Sequence, residues 1–252
     1  MNKFWLLLLC LPMVSHSQTT IIVVRTSYGI YVGSDTKRGT TLYDPVTNTV
    51  ISQNADTTCK IHKHDDVYYA IAGAKPELII GEIENSITSK KSFENILPDV
   101  IKNVSSQRIR YLQVLQNNHK SIFENRFEEL RSLEVALFGY EKNIPKTVRI
   151  VFSITTQKNQ PVQIKDTIAS KNFSLPSFQN EFIPFPMSHA EEIKNIMFTR
   201  EFWLNKQPSK AIEELIMIEA KAHPESVAAP VDLLFITDKG HQWLQGPAKP
   251  SF

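Results

Sequence analysis

The chain has 252 residues, 42% hydrophobic and 21% charged, which is enough apolar material to build a sizeable core. A net charge of +2, with no basic stripe and no interleaving of basic and aromatic residues, argues against a nucleic-acid partner. Two cysteines, Cys10 in an apolar leader and Cys59 alone in the remainder, exclude a disulfide framework within one processed chain.

The first residues read as a secretory signal peptide. Lys3 supplies the positive start, Phe4 to Val14 the apolar stretch, and Ser15-His16-Ser17 the small residues of a cleavage site. The apolar run is too short to cross a bilayer as a stable helix, so no membrane span is expected after processing. Bulky leucines before Cys10 disfavour a lipoprotein. These features predict an exported protein, periplasmic or secreted, with residues 1–18 as leader and 19–252 as one domain. The plain cut falls after Ser17 and leaves Gln18 ahead of Thr19.

Beyond the leader, Thr20 to Val24 and Ile30 to Ser34 are β-branched runs parted by a turn ending at Gly29, a hairpin signal. A polar stretch from Asp35 to Thr58 predicts a further hairpin around Leu42 to Ile51. Lys60 to His64 and Val67 to Ile71 form another antiparallel pair across Asp65-Asp66. Two histidines and two carboxylates fall there together, His62-Lys63-His64-Asp65-Asp66, but with no distant third ligand the run is read as strand and turn rather than metal site.

Helical spacing follows Gly73, with Pro76 in a first turn and Leu78, Ile79, Ile83 and Ile87 on one side. A longer helix follows Ser92 through Ile96, Val100, Ile109, Leu112 and Leu115, its regular part expected from Pro98 onward. Leu133 to Tyr140, Val148 to Thr156 and Val162 to Ile168 read as strands. The aromatic and proline-rich stretch Phe173 to Phe185 reads as an irregular covering loop. Ser188-His189-Ala190-Glu191 has the form of a capping box opening a helix toward Trp203, and Ser209 to Ala222 forms a second helix before Pro224. Val231 to Thr237 and His241 to Leu244 close the chain as strands. This order predicts an α+β fold in which two antiparallel sheets pack face to face with helix pairs outside.

Thr19-Thr20-Ile21-Ile22-Val23-Val24-Arg25, Gly29-Ile30-Tyr31-Val32-Gly33-Ser34-Asp35, Lys60-Ile61-His62-Lys63 and Tyr69-Ala70-Ile71-Ala72-Gly73-Ala74 resemble the proteasome β-subunit family of N-terminal nucleophile (Ntn) hydrolases. Val231-Asp232-Leu233-Leu234-Phe235-Ile236-Thr237 with Gly240 is similar to the family's late strand and turn. The interval from Thr19 to Asp35 matches without gaps, whereas reaching Lys60 requires an insertion. The resemblance implies a four-layer αββα sandwich and a threonine peptidase.

Residue by residue, the resemblance implies that Thr19 attacks a carbonyl through Oγ while its freed α-amine, of intrinsic pKa near ~8, takes the proton. Lys60 would lower the hydroxyl and amine pKa values, and Asp35 would orient Lys60 and keep it charged. The Gly73 backbone N–H would stabilise the oxyanion. Glu225 stands in place of the family's acid before the late strand, and Ser170 in the region of its supporting serine, although Ala169-Ser170-Lys171-Asn172 lacks the flanking glycines.

The expected substrate is a peptide or small amide, with no cofactor and no metal. A homo-oligomer is compatible with the resemblance. An ATP-dependent unfoldase is not expected for an exported protein, because ATP is not normally available there. Two other readings remain open: a non-peptide amidase of the same fold, and an inactive fold serving as a binding or assembly module. The junction at Gln18-Thr19 separates them chemically. Signal peptidase cuts one residue later, or Thr19 removes Gln18 itself, or the chain is not a threonine hydrolase.

Overall fold

The computed structural model describes residues 13–16, 19–43, 50–88, 92–172, 183–188, 192–204, 206–224 and 227–246. Among them the protein is mixed α+β, with two antiparallel five-stranded sheets, a smaller three-stranded sheet and several helices.

The small sheet comes first in the chain. Strand β1 (Met13–His16) pairs with β4 (Lys37–Tyr43), and β4 pairs with β5 (Val50–Thr57), the hairpin expected around Leu42. Between them in sequence, β2 (Thr20–Arg25) and β3 (Ile30–Asp35) form the expected hairpin, with Ile21 opposite Ser34 and Arg25 opposite Ile30. Thr26 closes its turn by donating through Oγ1 to the Gly29 carbonyl at 2.9 Å.

Strands β6 (Ile61–His64) and β7 (Val67–Gly73) form the next hairpin, with Asp65 at φ 51° in the left-handed conformation that its short polar side chain tolerates. A single 3₁₀ turn at Pro76–Leu78 then leads into α1 (Ile80–Ser86).

Helix α2 (Phe93–Asn118) begins five residues earlier than expected. Ser92 caps it by accepting from the Asn95 N–H, so the helix is nucleated ahead of Pro98, which lies in its second turn. Two short helices that periodicity does not announce follow, α3 (Lys120–Asn125) and α4 (Phe127–Leu130). Their Phe123 and Phe127 pack with Leu112, Leu115 and Leu130.

Strands β8 (Ser132–Glu141) and β9 (Ile144–Ile154) turn at Lys142-Asn143, both at positive φ, and β10 (Ile164–Asn172) joins the far side of β9. The order of this sheet is β10-β9-β8-β7-β6.

In the next segment the structure corrects two expectations. Residues 183–188, the end of the proposed covering loop and the start of the proposed capping box, form β11 (Ile183–Ser188), paired with β2. Pro184 and Pro186 fit because β11 is an edge strand, where a missing N–H leaves no ladder bond unmade. Ser188 therefore ends a strand instead of capping a helix. The helix itself is divided into α5 (Lys194–Met197) and α6 (Arg200–Leu204). Trp203 donates through Nε1 to the Met197 carbonyl at 2.7 Å, and Thr199 donates to Ile196, so side chains take up the carbonyls freed at the break.

Helix α7 (Pro208–Ala222), β12 (Val231–Thr237) and β13 (Gly240–Gln245) complete the chain. The second large sheet has the order β11-β2-β3-β12-β13.

Alternation along the strands divides the apolar residues among distinct cores. Ile21, Val23, Val32, Leu234 and Ile236 from one sheet meet Tyr68, Ala70, Ala136 and Phe138 from the other. On the opposite faces, Tyr69, Ile71, Val135, Ile150 and Phe152 pack on α1 and α2, while Ile22, Val24, Val231 and Leu233 pack on Ile212, Leu215 and Ile216 of α7. Each fully buried aliphatic or aromatic side chain contributes about 1.5–3 kcal/mol of transfer free energy. The arrangement is compatible with a sandwich of two sheets with helices outside.

Candidate functional site

Three of the residues singled out in the sequence converge at one end of the β2–β3 hairpin. Thr19 lies one residue before β2 and is almost wholly buried. Asp35 is the last residue of β3, and Lys60 the residue immediately before β6. The β-branched runs set these ends: the hairpin register that pairs Ile21 with Ser34 carries the Thr20 N–H to Asp35 Oδ1 at 2.8 Å. A backbone bond from Thr58 N–H to the Thr36 carbonyl, 2.8 Å, brings the segment after β5 back to the end of β3.

The Lys60 ammonium donates to both carboxylate oxygens of Asp35, 2.9 Å to Oδ1 and 2.8 Å to Oδ2. Asp35 is fully buried and Lys60 only 7% exposed, so this is an interior ion pair. Asp35 also accepts from the Lys37 N–H at 3.2 Å. Burial pushes the Asp35 carboxyl above its ordinary range, against the lowering effect of Lys60. Burial likewise pulls the Lys60 ammonium below its ordinary value, opposed by Asp35 and, more weakly, by Asp232. Ionic bonds inside a protein must offset this desolvation, and Asp35 does so with two backbone N–H donors, of Thr20 and Lys37, besides the charged Lys60 ammonium.

A cleft of about 70 Å³ opens beside the pair, lined by Thr19, Thr58, Cys59, Lys60, His62, Ile71, Pro76, Glu77 and Ile80. Its walls mix a threonine hydroxyl and a charged lysine with apolar side chains, the pattern of a small site that orients a group by few polar contacts. His62 stacks on Tyr69 with ring centroids 5.0 Å apart, and burial holds the imidazole below its ordinary pKa. The Tyr69 hydroxyl donates to Glu84 Oε1 at 2.7 Å, which fixes the ring beneath His62.

Gly73 ends β7, the strand whose Ile71 lines the cleft. Its φ of +130° is a conformation open to glycine, and a Cβ there would come within 3.0 Å of the Ser132 carbonyl and 3.1 Å of Leu133 Cα. Ser170 is not part of this cluster. It sits on the edge strand β10, at the far end of its sheet from β6, where its Oγ accepts from Asn172 at 3.4 Å. The continuing β9–β10 ladder, in which Ser170 opposes Arg149, holds it there. Glu225 lies outside the described residues.

Two polar residues of the cluster escaped the sequence reading. Asp232 is 2% exposed, and burial pushes its carboxyl up to about 6. Ser34, directly opposite it in the β3–β12 ladder, is fully buried. A signal for Asp232 was available: in Val231-Asp232-Leu233-Leu234-Phe235-Ile236, strict alternation puts the carboxylate on the same face as Leu234 and Ile236. A charge at a core-facing strand position is uncommon without a partner.

Among the described residues, no helix is long and apolar enough to cross a membrane, and no group of three or more metal-ligating side chains comes together. Compared with protein families and with curated proteins, the chain matches no family model and no curated sequence.

Proposed function

We propose that the protein is an exported threonine-type hydrolase of the N-terminal nucleophile class, with a four-layer αββα sandwich, that cleaves peptide amide bonds through an acyl-enzyme at Thr19. The observation that carries this reading is the buried Asp35–Lys60 ion pair at the end of the hairpin that Thr19 begins, with Thr19 and Lys60 lining one cleft.

In the full-length chain the Thr19 nitrogen is an amide and has no basic lone pair. Removal of residues 1–18 converts it to an α-amine of intrinsic pKa near ~8, a suitable base at neutral pH. Thr19 Oγ then attacks the substrate carbonyl while the amine, directly or through a water, accepts its proton. The charged Lys60 favours the alkoxide-like form of the hydroxyl, and Asp35 fixes Lys60 in place. The Gly73 N–H stabilises the oxyanion of the tetrahedral intermediate. Collapse expels the amine product protonated by the α-ammonium, and water hydrolyses the ester with the α-amine again as base.

Peptides, unfolded chains or small amides are the substrates in this reading, in an exported location without an ATP-driven unfoldase; assembly into a homo-oligomer is compatible with it. The test combines two measurements on the processed protein. Intact-mass analysis should give a chain beginning at Thr19, and a β-lactone or epoxyketone should add once, at that residue. A chain beginning at Thr19 that takes no label would end the catalytic reading and leave a binding or assembly module. Digestion of a peptide library against a panel of acyl amides separates a peptidase from an amidase.

A further inference from the structure

The cleft beside Thr19 holds a histidine that the proposed chemistry does not use. His62 lines its wall with Ile71, Pro76 and Ile80, and in the β6–β7 ladder it stands opposite Tyr69. The two rings stack with an interplanar angle of 17°, and the Tyr69 hydroxyl is anchored on Glu84 of α1. The imidazole is thus oriented through its face, which leaves both ring nitrogens without a hydrogen-bond partner among the described residues. Thr58, on the same wall, is fixed by its backbone N–H to the Thr36 carbonyl, and its hydroxyl is likewise without a partner among the described residues.

The charges on the wall, by contrast, are already matched. Lys60 is paired with Asp35 at 2.8 Å, and Glu77 with Lys75 at 3.5 Å. Burial holds His62 below its ordinary pKa, so at neutral pH the imidazole is uncharged, with one nitrogen a donor and the other an acceptor. A charged group brought into the cleft would lose water and find no unpaired counter-ion, so the site favours a neutral occupant. Size narrows the choice further. At about 70 Å³ the cleft is roughly half the ~150 Å³ cavity that accommodates benzene, which leaves room for about three or four non-hydrogen atoms and excludes aromatic rings.

We propose that His62 is the specificity-determining residue of this cleft, and that the peptides cleaved carry asparagine on the acyl side of the scissile bond. The side chain next to the attacked carbonyl is the part of the substrate nearest Thr19. A carboxamide supplies an N–H donor and a C=O acceptor, which the imidazole nitrogens and the Thr58 hydroxyl complement, while its methylene meets Ile71 and Ile80. Leucine has the same branching but would leave the imidazole desolvated and unpaired, and aspartate has the same shape but brings a charge. The assignment rests on the hydrolase reading for the bond that is cut; recognition of a carboxamide by His62 stands on the cleft itself.

On the processed protein, kcat/KM for peptides differing only at that position should be about tenfold or more higher for asparagine than for leucine or aspartate. His62→Phe keeps a ring over Tyr69 but removes both nitrogens, and should abolish the preference for asparagine over leucine. His62→Gln restores a donor and an acceptor and should recover most of it. A histidine with only a structural role would lower turnover of all three peptides together and leave their ratios unmoved, which would overturn the proposal. Binding gives a second readout that uses the wild type and needs no cleavage. In histidine-labelled protein, nitrogen-15 NMR should show the His62 ring nitrogens shifting on titration with N-acetylasparagine amide and not with N-acetylleucine amide. Labelling of Thr19 by a β-lactone then separates the failures. A selective His62 shift in a processed protein that takes no label upholds the carboxamide site and rejects the hydrolase reading. Labelling with no selective shift and no preference for asparagine does the reverse, and the absence of both rejects both.

Discussion

Lys60 Nζ lies 2.9 and 2.8 Å from the two oxygens of Asp35, with both side chains removed from solvent although they are twenty-five positions apart in sequence. A pair so buried is tied to the integrity of the fold as well as to chemistry. Removing one member strands the other charge in the interior, which costs about 3–5 kcal/mol. Asp35→Asn and Lys60→Met should each lower the urea midpoint accordingly, and the double variant should lose less than the sum. Additive losses in the double-mutant cycle would mean the pair is not coupled as the distances require.

In the proposed hydrolase Thr19 is the nucleophile, and its loss should abolish activity with little effect on stability. Thr19→Ala deletes one hydroxyl and one methyl at the edge of a strand, so the thermal midpoint should shift by only a few degrees while turnover of a peptide amide falls by roughly 10⁴-fold or more. Thr19→Ser keeps the hydroxyl and should retain measurable acylation by a β-lactone. Equal turnover in the Ala variant and the wild type would exclude Thr19 as nucleophile.

At Gly33 the strand β3 packs tightly on α7: a Cβ there would overlap Cγ2 of Ile212. Gly33→Ala must therefore displace α7 or bend β3 beside Ser34 and Asp35, costing about 1–3 kcal/mol. Ile212→Ala makes a cavity of its own, yet combined with Gly33→Ala it should be less damaging than the two single losses added. Chemical denaturation of the four proteins reads the coupling.

Asp232 gives stability a specific pH dependence. Its carboxyl titrates at about 6 in the folded chain and near ~3.9 when unfolded. Between those values the folded state holds a proton that the unfolded state has released, so its contribution to stability is complete below about 4 and is lost as the pH rises through about 6. Relative to Asp232→Asn, the wild type should therefore lose stability between pH 4 and 6. A difference in unfolding midpoint that stays flat or rises over that window would contradict a buried, partly protonated Asp232.

Much of this arrangement was legible in the chain itself. The β2–β3 and β6–β7 hairpins follow from β-branched runs punctuated by turn residues, and the hairpin geometry alone places Thr20 beside Asp35. What misled was local chemistry that tertiary contacts override. Ser188 through Glu191 has the spacing of a capping box, but pairing with Thr20 draws Ser188 into β11. The N–H groups of Glu192 and Ile193 are instead satisfied by Glu219 Oε1 of α7, at 3.1 and 3.2 Å. Pro98 reads as a barrier, whereas the Ser92 cap and the buried Phe93, Ile96 and Leu97 carry the helix through it.

The sequence by itself determined most of the strands, the long helix, and which residues share a face, because periodicity and turn chemistry act over a few residues. Tertiary structure decided that Lys60, across the whole β4–β5 insertion, is the partner of Asp35, that Ser170 is on an outer edge, and that Asp232 is buried opposite Ser34. Those relationships depend on how sheets stack and which strand lies beside β3. That order is set by burial of two apolar faces at once, and no local pattern encodes it.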